Sequence, residues 1–194
     1  MTKFSKHTLT GDISSIFMLV FFTIFWAFFI PFGFGWTTIP IICFTIFFVY
    51  GIYLFINAVK LKKLVGALPD SPTNAAEKQT DKIFRIIFII EIVLIAASSA
   101  ILSIIGYSSY INPIIALIVG AHLIPLSLFV FHTKRSIFGG IILMIAAIAA
   151  IIFIYFGQWA KQATGGCSFI AALGIARYAA YLLNLVKSSL KTEG

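Results

Sequence analysis

The chain has 194 residues, of which 61% are hydrophobic and only 10% are charged, and its formal net charge is +8. Soluble domains are on average about 25% charged, so a soluble globule of this composition could not cover its surface with polar groups. The composition therefore excludes an ordinary soluble protein. It also excludes a nucleic-acid-binding role, because the lysines and arginines stand at the ends of apolar runs and share no face with stacking aromatic residues.

Six apolar runs are long enough to cross a bilayer, which takes about 20 residues of helix. In chain order the predicted spans are 13–30, 37–59, 83–105, 113–131, 137–156 and 167–186, and Pro31 is expected to end the first. The sequence thus predicts an all-α fold, a polytopic bundle of six transmembrane helices, in a single integral membrane domain over residues 1–194. The longest connection, 60–82, is too short for a domain, so we expect the activity to lie within or at the bilayer.

The positive charges predict how the chain is oriented, because cytoplasmic segments of membrane proteins are enriched in Lys and Arg. With the N-terminus inside, twelve of the fourteen Lys and Arg residues lie on the cytoplasmic side and only Lys161 lies outside. The remaining residue, Arg177, falls within the sixth span. Both termini are therefore predicted to be cytoplasmic, and the abundance of Ile, Phe and Lys is typical of a bacterial plasma membrane protein.

Charged side chains inside the spans require an explanation, since a charge at the centre of a membrane helix costs about 2.5–3.5 kcal/mol on the insertion scale. Glu91 lies eight residues into the third span, about 12 Å from its cytoplasmic end. His122 in the fourth span and Arg177 in the sixth lie at a similar depth. We expect all three to face the bundle interior, and Glu91 and Arg177 form the most obvious ion pair.

Polar residues continue from Arg177 towards the cytoplasmic end of the sixth span. Tyr181, Asn184 and Ser188 follow at intervals of four, three and four residues, which places them on one helix face. The candidate residues for binding a ligand or an ion are therefore Glu91, His122, Arg177, Tyr181 and Asn184. Hydrogen bonding between helices is the alternative explanation for this polar stripe.

His122 stands three residues before Pro125, which frees the carbonyl of Ala121 from helical hydrogen bonding. A free carbonyl beside an imidazole suits a proton or ligand site, and a kinked helix with a packing histidine is the other interpretation. The segment Gly120–Leu126 resembles a G-x-H-h-h-P segment of small uncharacterised bacterial multi-span membrane protein families. The basic turn His132–Ser136 and the apolar span after it are similar too, so the resemblance covers about a quarter of the chain. It implies a membrane location and gives no activity or functional residues to carry over.

Three functions remain open from the sequence. The first is a small transporter or carrier, in which Glu91 responds to protons or cations and Arg177 holds the anionic part of a solute. The second is a non-catalytic accessory or scaffold protein with a structural Glu91–Arg177 pair. The third, an intramembrane enzyme acting on lipid, ranks last because no HExxH or GxSxG motif and no zinc-binding histidine pair occurs.

The sequence predicts neither catalytic residues nor metal ligands, and it assigns no cofactor. Cys43 and Cys167 form no disulfide framework and are expected to be free. The expected partners are the lipid bilayer and a small solute or proton. A homodimer and a partner membrane protein both remain open.

Overall fold

The computed structural model describes residues 6–69, 75–131, 134–157 and 159–191. In these ranges the regular structure is helical throughout: α1 (Lys6–Phe34), α2 (Thr38–Gly66), α3 (Ala75–Ile104), α4 (Ile111–Leu126), α5 (Lys134–Tyr155) and α6 (Ala160–Lys191). A short 3-10 turn, Ser108–Tyr110, precedes α4, and a π-helical turn, Ser127–Phe131, follows it. Six helical segments are long and apolar enough to span a membrane, which confirms the predicted all-α fold with six helices that could cross a bilayer.

Most helices extend beyond the predicted apolar spans. α1 continues through Pro31 to Phe34, so the expectation that Pro31 ends the first helix is wrong. α2 continues through its lysines to Gly66, and α6 reaches Lys191. Charged residues mark where a helix leaves the hydrocarbon, but Lys and Arg are good helix formers and do not end it.

Three glycines form the turns at the end of the bundle opposite the lysine-rich ends. Gly35, Gly106 and Gly157 have φ angles of 89°, 81° and 76° and follow α1, α3 and α5. Side chains with a Cβ rarely adopt this left-handed conformation, so glycine is the residue that ends these helices at little cost.

α6 lies at the centre of the bundle. It packs most extensively along α1 and then along α5, while α2 packs on α1 and α4 packs on α5. α3 is peripheral, since its helix contacts are made chiefly with α4. The small residues Ala172 and Ala176 of α6 are almost fully buried, as expected for a ridge that lets neighbouring helices approach closely.

Glycines bring α4 and α5 into backbone contact. A Cβ added to Gly120 would lie 2.8 Å from the carbonyl oxygen of Gly140, and one added to Gly140 would lie 2.5 Å from the carbonyl oxygen of Gly120. Gly33 and Gly165 make a similar contact between α1 and α6. These contacts fix α4 at a position two residues before His122.

Polar contacts join the lysine-rich helix ends on one side of the bundle. Lys6 Nζ donates to the carbonyl of Leu68 (2.8 Å), the Thr8 hydroxyl donates to Glu77 (3.2 Å), and Lys187 Nζ donates to Asn57 Oδ1 (3.0 Å). These bonds bring together the start of α1, the end of α2, the start of α3 and the end of α6. We call this side of the bundle the basic end.

Candidate functional site

Two of the predicted site residues meet between α3 and α4. Glu91 Oε1 lies 3.0 Å from Nδ1 of His122, and the side chains of Glu91 and His122 are 3% and 12% exposed. Glu91 is 16 residues into α3 and His122 is 11 residues into α4. The pair is therefore buried, with Glu91 near the middle of α3 and His122 four residues before the end of α4.

Glu91 has an unusual position on its helix. It is the only residue of α3 that is buried, among those whose side chains the structure describes. The half-buried residues Phe84, Phe88, Ile95 and Ser98 lie on the same side of α3, spaced by three, four or seven residues. The most deeply buried described side chain of α3 is therefore a carboxylate and not an apolar group.

The contacts of His122 define its tautomer. Nδ1 lies 3.0 Å from Glu91 Oε1 and 3.1 Å from the carbonyl oxygen of Val119. A carbonyl oxygen can only accept, so the contact with Val119 is a hydrogen bond only when Nδ1 carries a proton. Glu91 then accepts from the same N–H group as a carboxylate. This leaves Nε2, which is buried and has no hydrogen-bond partner in the described part of the chain.

The helix that carries His122 is irregular just beyond it. α4 continues through Pro125 to Leu126 and then widens into the π-helical turn, where Ser127 is 2% exposed. The missing N–H of Pro125 interrupts the normal hydrogen-bond ladder. Single π turns inside helices are frequent at functional sites. The sequence indicated an irregularity through Pro125 but not its π-helical form.

The structure does not bring the other predicted site residues to this pair. Arg177 and Asn184 are exposed on α6, and the half-buried Tyr181 stacks on Tyr178 with ring centroids 6.1 Å apart. The expected Glu91–Arg177 ion pair is not formed, because α3 packs chiefly on α4 while α6 packs chiefly on α1 and α5. Sequence gives the depth of a charge along its span but not which helices are neighbours.

A buried polar contact near the other end of the bundle was not predicted from the sequence. Asn112 Nδ2 donates to Ser168 Oγ over 3.2 Å and links α4 to α6, and both side chains are buried. Asn112 lies directly before the predicted span 113–131. Its position directly before Pro113 at the start of an apolar run was the available signal, because polar side chains there often satisfy free backbone or side-chain groups.

Several other features can be placed relative to the pair. Cys43 and Cys167 are both free thiols. Within the described ranges, no three His, Cys, Asp or Glu side chains come close enough to hold a metal ion. One recess at the basic end is lined by α3 residues 78–86 and another lies between α1 and α2, and neither is lined by Glu91 or His122.

No protein family, curated protein or solved structure was found to match this chain. The chemistry of the site is therefore argued from its geometry. The elements of the site are a buried carboxyl group, an imidazole nitrogen 3.0 Å from it, and a second imidazole nitrogen, Nε2, without a hydrogen-bond partner among the described residues.

Proposed function

We propose that this chain is a small proton-linked membrane transporter of the carrier type, with Glu91 and His122 as its proton-binding site. The 3.0 Å contact between two ionisable side chains, closed off inside the bundle, is the observation that carries the proposal. Ionisable groups in membrane spans are costly to bury and are typical of proton relays and ion pathways.

The charge of the pair depends on one proton. A carboxylate with a neutral imidazole has a net charge of −1, and a buried net charge without a counter-ion is strongly unfavourable. One proton on Nε2 of His122 converts the pair into a neutral ion pair. The two protonation states should therefore favour different arrangements of α3 and α4, which is the coupling that a proton-linked carrier needs.

Solute binding can be coupled to the same proton. Once Nε2 of His122 is protonated, its N–H group needs an acceptor, because a buried donor without a partner costs about 1–3 kcal/mol. A carboxylate or carbonyl oxygen of a solute would supply that acceptor. Proton and solute would then bind together. Arg177 was predicted to hold the solute. It is not part of the proposed solute site, because it is exposed on α6.

The mobile element in this proposal is α3. Its most deeply buried described side chain is Glu91, and its helix neighbour is chiefly α4. When Glu91 changes its interaction with His122, α3 loses or regains its buried polar contact with α4. The π-helical turn after Pro125 gives α4 a second place to deform.

We further propose that the basic end faces the cytoplasm of a bacterial cell, so that both termini lie inside the plasma membrane. The asymmetry of the Lys and Arg residues supports this orientation, since Lys161 is the only one predicted outside.

The test is proton movement driven by solutes in reconstituted vesicles. Purified protein is placed in liposomes that contain a pH-sensitive dye, and a panel of amino acids, sugars, nucleosides, organic cations and inorganic ions is added without a pH gradient. The proposal predicts that at least one solute moves protons into or out of the vesicles with the wild-type chain. Glu91→Gln should abolish this movement.

Asp81→Asn is the matched control. Asp81 lies on the same helix and contacts His7 over 3.2 Å, but the pair is 46% and 37% exposed at the basic end. This variant should transport like the wild type. If no solute moves protons, or if Glu91→Gln transports normally, the proposal is wrong.

A second candidate function is that of an accessory protein for another membrane protein. The observation that favours it is the exposed position of Arg177 at the middle of α6. It requires no proton exchange at Glu91. The two candidates therefore depend on different residues and can be tested separately.

A further inference from the structure

Arg177 faces outward from the middle of a membrane helix. It is 17 residues from the first residue of α6 and 14 from the last, and it is exposed. Across the described parts of the chain, its guanidinium group has no hydrogen bond and no ion pair. Charged side chains in membrane spans almost always face protein or a water-filled cavity and find partners there. The single chain does not give Arg177 such a partner.

The lipid headgroups are too distant to serve as that partner. Along the α6 axis Arg177 lies about 15 Å from Cys167, the first residue of the predicted span, and about 15 Å from Lys187, which directly follows its last residue. The distance to Lys187 is greater than an extended arginine side chain covers. The guanidinium group therefore remains in the hydrocarbon even when the side chain bends towards the basic end.

A glycine on the same face is not required by any close contact within the described chain. Gly174 is exposed, three residues before Arg177, and a Cβ added to it would meet nothing within 4 Å. Glycine in a helix interior costs about 1 kcal/mol relative to alanine. Gly33, Gly120, Gly140 and Gly165 avoid clashes with neighbouring helices, but Gly174 does not. In membrane helices an exposed glycine lets a second helix approach closely.

We propose that this surface, the α6 outer face formed by Ile170, Gly174, Arg177, Tyr181 and Asn184, binds a transmembrane helix of another protein. That helix carries a carboxylate at the depth of Arg177. Gly174 admits its backbone, and Tyr181 and Asn184 provide polar contacts towards the basic end. The inference depends on Arg177 and not on the proton site, so it stands or falls independently of the proposed transport.

A second copy of this chain does not fit the same surface. A symmetric contact between two α6 helices would place the two Arg177 side chains at the same depth, where like charges repel each other. Among the described residues there is also no spare carboxylate at that depth. Glu91 is buried against His122, and the other described acidic residues, Asp12, Glu77 and Asp81, lie within seven residues of a helix start. Asp70 and Glu193 lie outside the described residues.

The experiment measures binding of a synthetic helix to the reconstituted protein. The probe is a peptide of Leu and Ala, long enough to span at about 21 residues, with one Glu at its middle. A twin peptide has Gln at the same position. Resonance energy transfer between labelled peptide and labelled protein is measured in vesicles of zwitterionic phosphatidylcholine. The Glu peptide should bind the wild-type chain about tenfold more tightly than the Gln peptide.

Substitutions on α6 show whether the preference arises at the α6 outer face. Arg177→Leu should abolish the preference for Glu, and Gly174→Leu should weaken binding of both peptides. Lys161→Gln, which removes a positive charge near the other end of α6, should change neither. Because Arg177→Leu removes an exposed charge from lipid, its melting temperature should equal or exceed that of the wild type.

Four results would overturn the proposal. Equal binding of the two peptides to the wild-type chain would remove the carboxylate from the account. A preference for the Glu peptide that survives Arg177→Leu would mean that the glutamate is bound at a site other than Arg177. A marked fall in the melting temperature of Arg177→Leu would mean that Arg177 is satisfied inside the chain. Stabilisation of the wild type, but not of Arg177→Leu, by anionic phosphatidylglycerol would assign Arg177 to a lipid phosphate.

Discussion

α3 carries the carboxylates of two histidine–carboxylate pairs, and the two pairs differ mainly in their burial. Glu91 and His122 lie 3.0 Å apart and are 3% and 12% exposed, whereas His7 and Asp81 lie 3.2 Å apart and are 37% and 46% exposed. Water screens the second pair, so its contribution to stability should be small, about 0–1 kcal/mol. The first pair lies where charges interact strongly and where an unpaired charge is costly.

Replacing His122 should therefore destabilise the fold far more than replacing His7. His122→Ala leaves Glu91 buried without its partner, which should lower the free energy of unfolding by about 3–5 kcal/mol. His7→Ala should lower it by less than about 1 kcal/mol. Reversible unfolding of both variants in mixed micelles, followed by circular dichroism, gives the comparison.

The double variant Glu91→Leu/His122→Leu separates the pair from its surroundings. Removing both polar groups should cost less than His122→Ala alone, because no unpaired carboxylate remains in the interior. The two single variants, Glu91→Leu and His122→Leu, complete the comparison. If their effects on the free energy of unfolding add up to that of the double variant, Glu91 and His122 do not act as a pair.

For individual residues, the sequence predicted how deep each ionisable side chain lies in its span better than which side chains contact each other. Glu91, His122 and Arg177 could be recognised as residues inside spans because the apolar runs around them are long and clear. Which of them meet depends on the order and rotation of the helices. These follow from packing contacts such as that of Gly120 with Gly140. The positions of the glycines along the chain do not reveal which of them contact each other.

At the scale of helices, the contact between α4 and α5 should depend on one of two adjacent glycines. A methyl group on Gly140 would press against the carbonyl oxygen of Gly120, whereas one on Gly139 would meet nothing within 4 Å. Gly140→Ala should force the two helices apart and lower the free energy of unfolding by about 1–3 kcal/mol.

Gly139→Ala is the matched control for this substitution. It adds the same methyl group one residue earlier and removes the helix penalty of glycine, so it should be neutral or stabilising by up to about 1 kcal/mol. The melting temperatures of the two variants, measured in the same detergent, provide the test. Equal destabilisation by both substitutions would contradict the close backbone contact.

Helix identity was predictable from the sequence, but helix length was not. The apolar runs gave all six helices, because about 20 consecutive apolar residues have few other uses in a protein. The added turns at the ends of α2, α3 and α6 carry charged residues with good helix propensity. A run of apolar residues marks the part of a helix that crosses the hydrocarbon. It does not show how far the helical hydrogen bonding continues beyond that part.

At the scale of the whole molecule, the proposed orientation can be tested by labelling from outside the cell. In a variant lacking Cys43 and Cys167, Lys161→Cys should react with a membrane-impermeant maleimide in intact cells. Lys63→Cys, at the basic end, should react only after the cells are permeabilised. The opposite pattern would invert the orientation, and labelling of both sites in intact cells would contradict a single topology.

Composition and charge predicted a multi-span helical protein, because a chain with 10% charged residues has few alternatives. They did not predict that α6 lies at the centre or that α3 is peripheral. All six helices are strongly apolar, so lipid-facing and protein-facing sides look alike in sequence. The exposed position of Arg177 is therefore information that only the arrangement of helices provides.

The most direct test of the central claim is the protonation of His122 in the membrane. The chain has three histidines, His7, His122 and His132, so nitrogen-15 labelling of histidine in vesicles gives few signals, and His122→Gln identifies the one that belongs to His122. At alkaline pH the account predicts a neutral imidazole protonated on Nδ1 with a bare Nε2. Addition of a transported solute should place a proton on Nε2 in the wild type, and Glu91→Gln should suppress this change. A His122 signal that does not respond to the solute, or that shows the proton on Nε2 in its absence, would contradict the proton site.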